Sequence, residues 1–303
     1  MKTIKTLAIF LVALSIYNLS LNRLFAQVQD QKKWSFTQKD TIIIEHSSGS
    51  KFNFTTGNSK IIEIELIHSN DPIFTYTLKE EKNKIVLNED VLNYNGNKPT
   101  PKSCLYWNLV LPKGITIISG GGNADLSVKD FTGTIINTGS QCHAKISNSK
   151  CNIKMWVSQC KVELENCAVS FDISCSQGDL YADEISITGK SSFTTGYGYV
   201  EVELSKPLRT DLTLSSNFGT VILDFNGNPV EGNFEFIARA DKGKIVCPYK
   251  FDSEYVFKSK KMIYKNDADF KELVDYYVKC FVRGDQKPKI ELKTVTGKVK
   301  VVG

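Results

Sequence analysis

From residue 115 onward the chain keeps to one pattern. Eight small residues, Gly122, Cys142, Cys160, Gly178, Gly198, Gly219, Gly243 and Gly297, each stand between two short alternating segments. After them come NADL, HAKI, KVEL, DLYA, YVEV, TVIL, KIVC and KVKV; before them come ITI, IIN, IKM, FDI, SSF, LTL, FIA and IEL. Positions two and four after each anchor, and seven and five before it, make 32 slots, of which 30 hold hydrophobic residues; Asn137 and Ser191 are the exceptions. The interleaved slots hold only 8 of 32. Period-two alternation of this contrast predicts two short strands per repeat, one buried face, and a corner at the anchor.

Most anchors follow one another at a stride of roughly 18–21 residues, the scale of a stacked repeat, with longer steps at the end. Strands alone at that period predict stacked rungs: an all-β, single-stranded parallel β-solenoid (β-helix) with rungs of about 18–21 residues. A β-sandwich, with strands every 8–12 residues, is the alternative. It gives no reason for corner residues to recur, yet Ser-Gln-Cys at 140–142 returns at 158–160 and as Ser-Gln-Gly at 176–178. In-register rungs lie about 4.7–4.9 Å apart. Gln141, Gln159 and Gln177 are therefore expected to stack as an amide ladder. The anchor slot takes glycine at a tight bend, and Cys142 and Cys160 mark a gentler corner. Three residues past the anchors come Asp125, Lys145, Glu163, Tyr181 and Glu201, with Lys145 between two acids, as solvated cross-strand pairs.

The ends are less regular. Residues 27–120 read as a strand-rich start continuous with the solenoid, in which 51–54 and 84–87 follow anchors at Ser50 and Asn83; residues 95–101 are a loop. Regular rungs occupy 121–250, an insertion 251–287, and a final rung 288–303. Within the insertion, Phe270, Val274, Tyr277 and Phe281 fit a 3.6 period and Asp267 is placed to cap, predicting a short helix over the end of the stack. Its tail, 276–282, is equally strand-like.

Composition changes this picture at one end. With 41% hydrophobic and 23% charged residues the chain has enough apolar material for a sizeable core. The 17 Phe and 12 Tyr lean toward strand. Residues 1–26 differ: Lys2 and Lys5 precede an apolar run at 7–17, too short to span a bilayer, and a small residue, Ala26, closes the segment. This reads as a signal peptide cleaved after Ala26, an uncleaved anchor being the alternative. Exported location follows: periplasm, cell surface or extracellular, with no transmembrane segment in the mature chain 27–303. Loss of Lys2, Lys5 and Arg23 with that segment brings the net charge from +5 to about +2, which removes the argument for nucleic acid.

The segment YWNLVLPKGITIISGGGNADLSVKDFTGTI at 106–135 is similar to the central part of the adhesin-like head GIN domains of bacterial exported proteins, and PKIELKTVTGKVKV at 288–301 resembles their last rungs. The resemblance covers most of 40–303. It implies a β-solenoid at the surface or in the periplasm and carries no catalytic motif. The chain departs from the pattern in its cysteine cluster and in the insertion between Cys247 and Pro288.

Candidate chemistry is sparse. His46, His68 and His143 have no metal-ligand spacing, and the gaps of 9, 9, 7 and 8 among Cys142, Cys151, Cys160, Cys167 and Cys175 match no zinc pattern. Those gaps follow strand and corner lengths, with Cys151 and Cys167 where the chain turns back. Disulfides across the corners and packed free thiols are the two readings, the second favoured. Gly120, Gly121 and Gly122 form a turn before a strand, without the helix that phosphate binding uses. No metal, cofactor or catalytic residue is assigned. Carboxylates do line the rungs (Asp172, Asp179, Asp183, Glu163, Glu201), so the alternative function is a carbohydrate-active β-helix lyase or hydrolase with two converging acids. The preferred reading is a non-enzymatic exported solenoid for surface binding, adhesion or envelope scaffolding, with a cell-surface glycan or envelope protein as partner. Tyr181, Tyr197, Tyr199 and Phe218 are its candidate ligand-binding residues: outward or corner aromatics on adjacent rungs, suited to sugar rings, against the plainer reading of a ladder that only stabilises the corner.

Overall fold

Seven strands precede the first regular rung: β1 (Asp30–Thr37), β2 (Thr41–His46), β3 (Ser48–Thr56), β4 (Ile61–His68), β5 (Phe74–Glu80), β6 (Lys84–Val91) and β7 (Tyr106–Leu111). The regular part holds β8 (Ile115–Ser119), β9 (Asn123–Lys129), β10 (Thr132–Asn137), β11 (Gln141–Ser147), β12 (Lys150–Glu165), β13 (Ala168–Ile187), β14 (Ser191–Tyr197), β15 (Val200–Leu204) and β16 (Leu212–Asp224). The end is built by β17 (Gly232–Arg239), β18 (Gly243–Val246), β19 (Ser253–Met262), β20 (Lys271–Arg283) and β21 (Lys289–Val302). This computed structural model describes residues 30–68, 74–91, 105–262, 271–284 and 287–303, and holds no helix among them. The expected signal segment 1–26, the loop 95–101, and Asp267 with Phe270 lie outside the described residues.

The strands stack as two parallel columns joined at the anchors. One column runs β8, β10, then the first halves of β12 and β13, then β14 and the first half of β16; the other runs β9, β11, the second halves of β12 and β13, β15 and the second half of β16. The all-β solenoid expected from alternation is what forms. Partners such as Cys142 with Cys160, Ile173 with Phe193, and Phe193 with Leu214 set the length of a rung and agree with the expected stride. The gentle corner expected at Cys142 and Cys160 forms at Cys160 and also at Gly178, through which β12 and β13 run on without a break. Just before Cys142 the strand is interrupted, β10 ending at Asn137 and β11 beginning at Gln141. A second corner has no counterpart in the anchor pattern. Asp130, Asn148, Asn166 and Glu184, one on each successive rung, all adopt left-handed backbone with φ of 49–52°. Asp and Asn tolerate that region best among residues with a side chain. Each N–H of Asp130, Asn148 and Asn166 bonds a carbonyl of the next rung at 3.0–3.1 Å.

One register differs from expectation. Ala124, not Gly122, lies beside Cys142, and Ile117 beside Ile135, so the first step is shorter by two than the anchors imply. Parity survives a slip of two, so the same side chains still face inward. The slip moves Asp125 beside His143, and leaves Lys145 between Ser127 and Glu163 rather than between two acids.

The interior is a set of in-register apolar ladders. Met155, Ile173, Phe193, Leu214, Leu292 and Phe236 form one; Ala144, Val162, Leu180, Val200, Val221 and Val299 form another. All of these are buried, and among the inward slots only those of Ile245 and Cys247 remain partly exposed. The two polar exceptions are buried, each with its side-chain oxygen hydrogen-bonded. Ser191 Oγ donates to the Gly189 carbonyl at 2.9 Å and accepts the Phe171 N–H at 3.2 Å. Asn137 Oδ1 accepts the Gly139 N–H at 3.0 Å.

Rung order departs from chain order at both ends. The rung of β2 and β3 is inserted between that of β6 and β7 and that of β8 and β9. In the same way β21 lies between β16 and the rung of β17 and β18, so Gly297 faces both Gly219 and Gly243. Residues 84–87 therefore belong to the pre-anchor column, paired with residues 41–44, and not to a strand after an anchor at Asn83. Phe52, by contrast, stands beside Leu126 and through it Ala144, so Ser50 does occupy the anchor slot of Ala124 and Cys142.

Antiparallel strands close the stack: β5 on β6, β4 and β1 on β7, and β20 with β19 on β17. The helix expected over 267–282 is thus a strand wherever it is described. Val274 and Val278 are buried on one face of β20, while Phe281 on the other packs against Phe234 at 4.3 Å between ring centroids. Apolar residues drawn from both faces of one strand imitate a 3.6 period. Covering the last rung this way satisfies the pairing groups that an open edge exposes.

Candidate functional site

One outward column crosses the molecule at the anchor corner. Asn123, Gln141, Gln159, Gln177, Tyr197, Phe218 and Thr296 lie in register on successive rungs. Its first half is the expected amide ladder: Gln141 Nε2 donates to Gln159 Oε1 at 2.8 Å, and Gln159 Nε2 to Gln177 Oε1 at 3.3 Å. At Tyr197 the column turns aromatic. The rings of Tyr197 and Phe218 stack at 4.6 Å with planes 9° apart, close to the spacing of the rungs themselves. They remain 56% and 43% exposed.

Tyr181 and Tyr199 make a second stack on the adjoining column, 5.6 Å apart and 26° inclined. Lys161 Nζ sits 5.8 Å from the Tyr181 ring centre, within cation–π range. Partial burial raises both phenol pKa values, with Asp179 adding to the effect on Tyr181 and Glu201 to that on Tyr199. The four residues singled out in the sequence are thus two short stacks, one on each side of Gly198. Tyr199 is the half-buried member.

Two carboxylates of the alternative reading hold neighbouring rungs together. Asp172 accepts from Ser192 Oγ at 2.7 Å, and Asp179 accepts the Tyr199 N–H at 2.7 Å. Glu163 pairs with Lys161, whose hydrogen bond draws its pKa below the usual carboxylate range, and lies 3.9 Å from His143 Nε2. Asp183 belongs to an acidic face with Glu184, Glu201, Glu203 and Asp224; burial first, and then these neighbours, raise the pKa of Glu203.

Two shallow grooves flank the glutamine ladder. The first, about 370 Å³, is lined by Asp125, Gln141, Cys142, His143, Gln159, Cys160 and Lys161 among others. The second, about 520 Å³, is lined by small uncharged residues (Thr138, Gly139, Ser140, Ser158, Ser174, Ser176) around Trp156, with Cys175. Trp156 is 47% exposed and was not singled out in the sequence. The signal was present, because it is a hydrophobic residue in an outward slot of the alternation. Exposed Tyr255, Val256, Phe257 and Tyr277 on the β19–β20 hairpin were also missed, since the insertion follows no repeat.

His143 lies 3.7 Å from Asp125, whereas His46 and His68 belong to the irregular start. Among the described residues no three His, Cys, Asp or Glu side chains gather as a metal-holding group. Seven described cysteines are free thiols, and the five of the regular rungs are buried. Burial pushes Cys142 and Cys151 up to about 12. Those thiols are packed core groups rather than nucleophiles.

Residues 113–240 match the profile of the family described as Toastrack DUF4097. No curated protein matches the chain. Among solved structures, a candidate cell adhesion protein from Clostridium sporogenes ATCC 15579 is 13% identical, covering 90% of this chain and 98% of its own at a TM-score of 0.28. A candidate lipid binding protein from Parabacteroides distasonis ATCC 8503 is 12% identical over 66% of this chain and 90% of its own, with a TM-score of 0.39. A candidate adhesin from the same organism is 10% identical over 67% and 91%, with a TM-score of 0.30.

Proposed function

We propose that this chain is an exported, non-enzymatic binding or adhesion protein of the cell envelope, which holds a glycan along its anchor corner. One observation carries the reading: the Tyr197–Phe218 stack stays open to solvent and continues directly into the glutamine ladder. An apolar strip and a hydrogen-bonding strip then share one line at one repeat distance. A polysaccharide presents both C–H faces and hydroxyls, and aromatic surfaces suit the former. The carboxylates support a binding role as well, because Asp172 and Asp179 are committed to rung contacts rather than held apart in a cleft. Among the described residues no helix is long and apolar enough to cross a membrane. Removal of residues 1–26 on export belongs to the same proposal.

The expected result of Tyr197→Ser with Tyr199→Ser is an unchanged circular dichroism spectrum and melting temperature, together with at least about tenfold weaker attachment to bacterial surface glycan, a loss of about 1.4 kcal/mol. Attachment equal to the unaltered protein, from a folded double variant, discards the aromatic site.

A further inference from the structure

The slot three residues before the anchors Cys160, Gly178, Gly198, Gly219 and Gly297 faces inward and is filled, rung by rung, by Val157, Cys175, Thr195, Ser216 and Thr294. On two rungs its hydroxyl reaches back to the anchor of the preceding rung. Ser216 Oγ donates to the Gly198 carbonyl at 2.8 Å, and Thr294 Oγ1 to the Gly219 carbonyl at 3.0 Å. Cys175 reaches in the same direction but meets the side chain of an anchor, with its sulfur 2.9 Å from Cys160 Sγ. The two sulfurs, together with the Cys160 carbonyl oxygen, also explain why the third Ser-Gln triplet ends in glycine. A Cβ on Gly178 would lie 2.5 Å from Cys160 Sγ, 2.8 Å from Cys175 Sγ and 2.5 Å from that oxygen.

We propose that Cys160 and Cys175 are a modification site, a dithiol that closes to a disulfide and staples two neighbouring rungs at the foot of the glutamine ladder. Each sulfur has its own approach, since Cys175 lines the Trp156 groove and Cys160 the groove on the other side of the ladder. The Cys160 thiol donates to Cys175, which lowers the pKa of Cys175, while that bond and burial raise the pKa of Cys160. Cys175 is therefore the attacking thiolate. It attacks one sulfur of an oxidant disulfide, forming a mixed disulfide and expelling a thiolate. Cys160 then gives its proton to solvent and attacks the Cys175 sulfur, expelling the second thiolate. The protein loses two protons and two electrons, and the oxidant disulfide becomes two thiols. The oxidant is a disulfide-bearing oxidoreductase of an oxidising compartment, or oxidised glutathione in its place. The site rests on the export reading only for the source of that oxidant.

The test uses the full chain, purified reduced and then incubated with oxidised glutathione. Thiols are blocked in denaturant before digestion with trypsin and an aspartate-directed protease, whose cut before Asp172 separates Cys167 from Cys175. The expected products are residues 155–161 joined to residues 172–178, with a thiol titre lower by two per chain. Cys175→Ser should restore Cys160 as an alkylated thiol. Recovery of both cysteines fully alkylated, or joined to Cys142, Cys167 or glutathione instead of each other, overturns the assignment.

Discussion

Phe193→Ala is expected to destabilise the protein by about 3–5 kcal/mol, the range for deleting a buried aromatic side chain. Phe193 is fully buried, with Ile173 on one side and Leu214 on the other in the same ladder. A rung touches only its neighbours, so a hole in one ladder breaks continuity for both halves of the stack. Neighbouring rungs cannot close it, because backbone pairing fixes their separation. Urea unfolding followed by circular dichroism measures the effect as a lower midpoint. A midpoint unchanged from the parent contradicts the inward placement of this column.

Gly219→Ala should cost more than the roughly 1–3 kcal/mol typical of overpacking, although it adds a single methyl group. A Cβ at Gly219 would overlap the Gly198 carbonyl oxygen, which also accepts the Ser216 hydroxyl at 2.8 Å. The obstacle is backbone, not the far end of a flexible side chain, so the two rungs must part or shift. Gly198 meets Gly178, and Gly297 meets Gly219, in the same way. Glycine thus recurs at 198, 219 and 297 because these consecutive rungs approach too closely for a side chain. The same substitution at Gly227, where a Cβ meets nothing, serves as the comparison, although its left-handed backbone carries a modest strain of its own. Equal midpoints for Gly219→Ala and the parent would contradict the close approach.

How far the sequence reached can be seen in particular residues. Alternation assigned the inward face of every regular rung, because a side chain's face depends only on whether its position is odd or even. For the same reason it missed the slip that sets Ala124 beside Cys142, since a shift of two leaves parity unchanged. The constant stride identified the glutamine ladder, as identical amides stack wherever rungs are in register. Insertion of β21 between β16 and β17 was not legible, because strand pairing across so long a stretch of chain leaves no local mark. In β20, Val274 lies on one face and Tyr277 and Phe281 on the other, and together they read as a helix. Of the candidate site, the Tyr197–Phe218 stack is legible in the repeat, while the exposed Trp156 is a single outward residue that no neighbouring rung repeats.

The most direct test of a binding face without turnover is to incubate residues 27–303 with an immobilised panel of bacterial surface polysaccharides, measuring retention and released reducing ends in the same wells. The account predicts retention on at least one polysaccharide, lost with Phe218→Ser, and no release of reducing ends above the blank over days. Release that disappears with Asp172→Asn or Asp179→Asn contradicts it, since those carboxylates would then be catalytic rather than rung contacts.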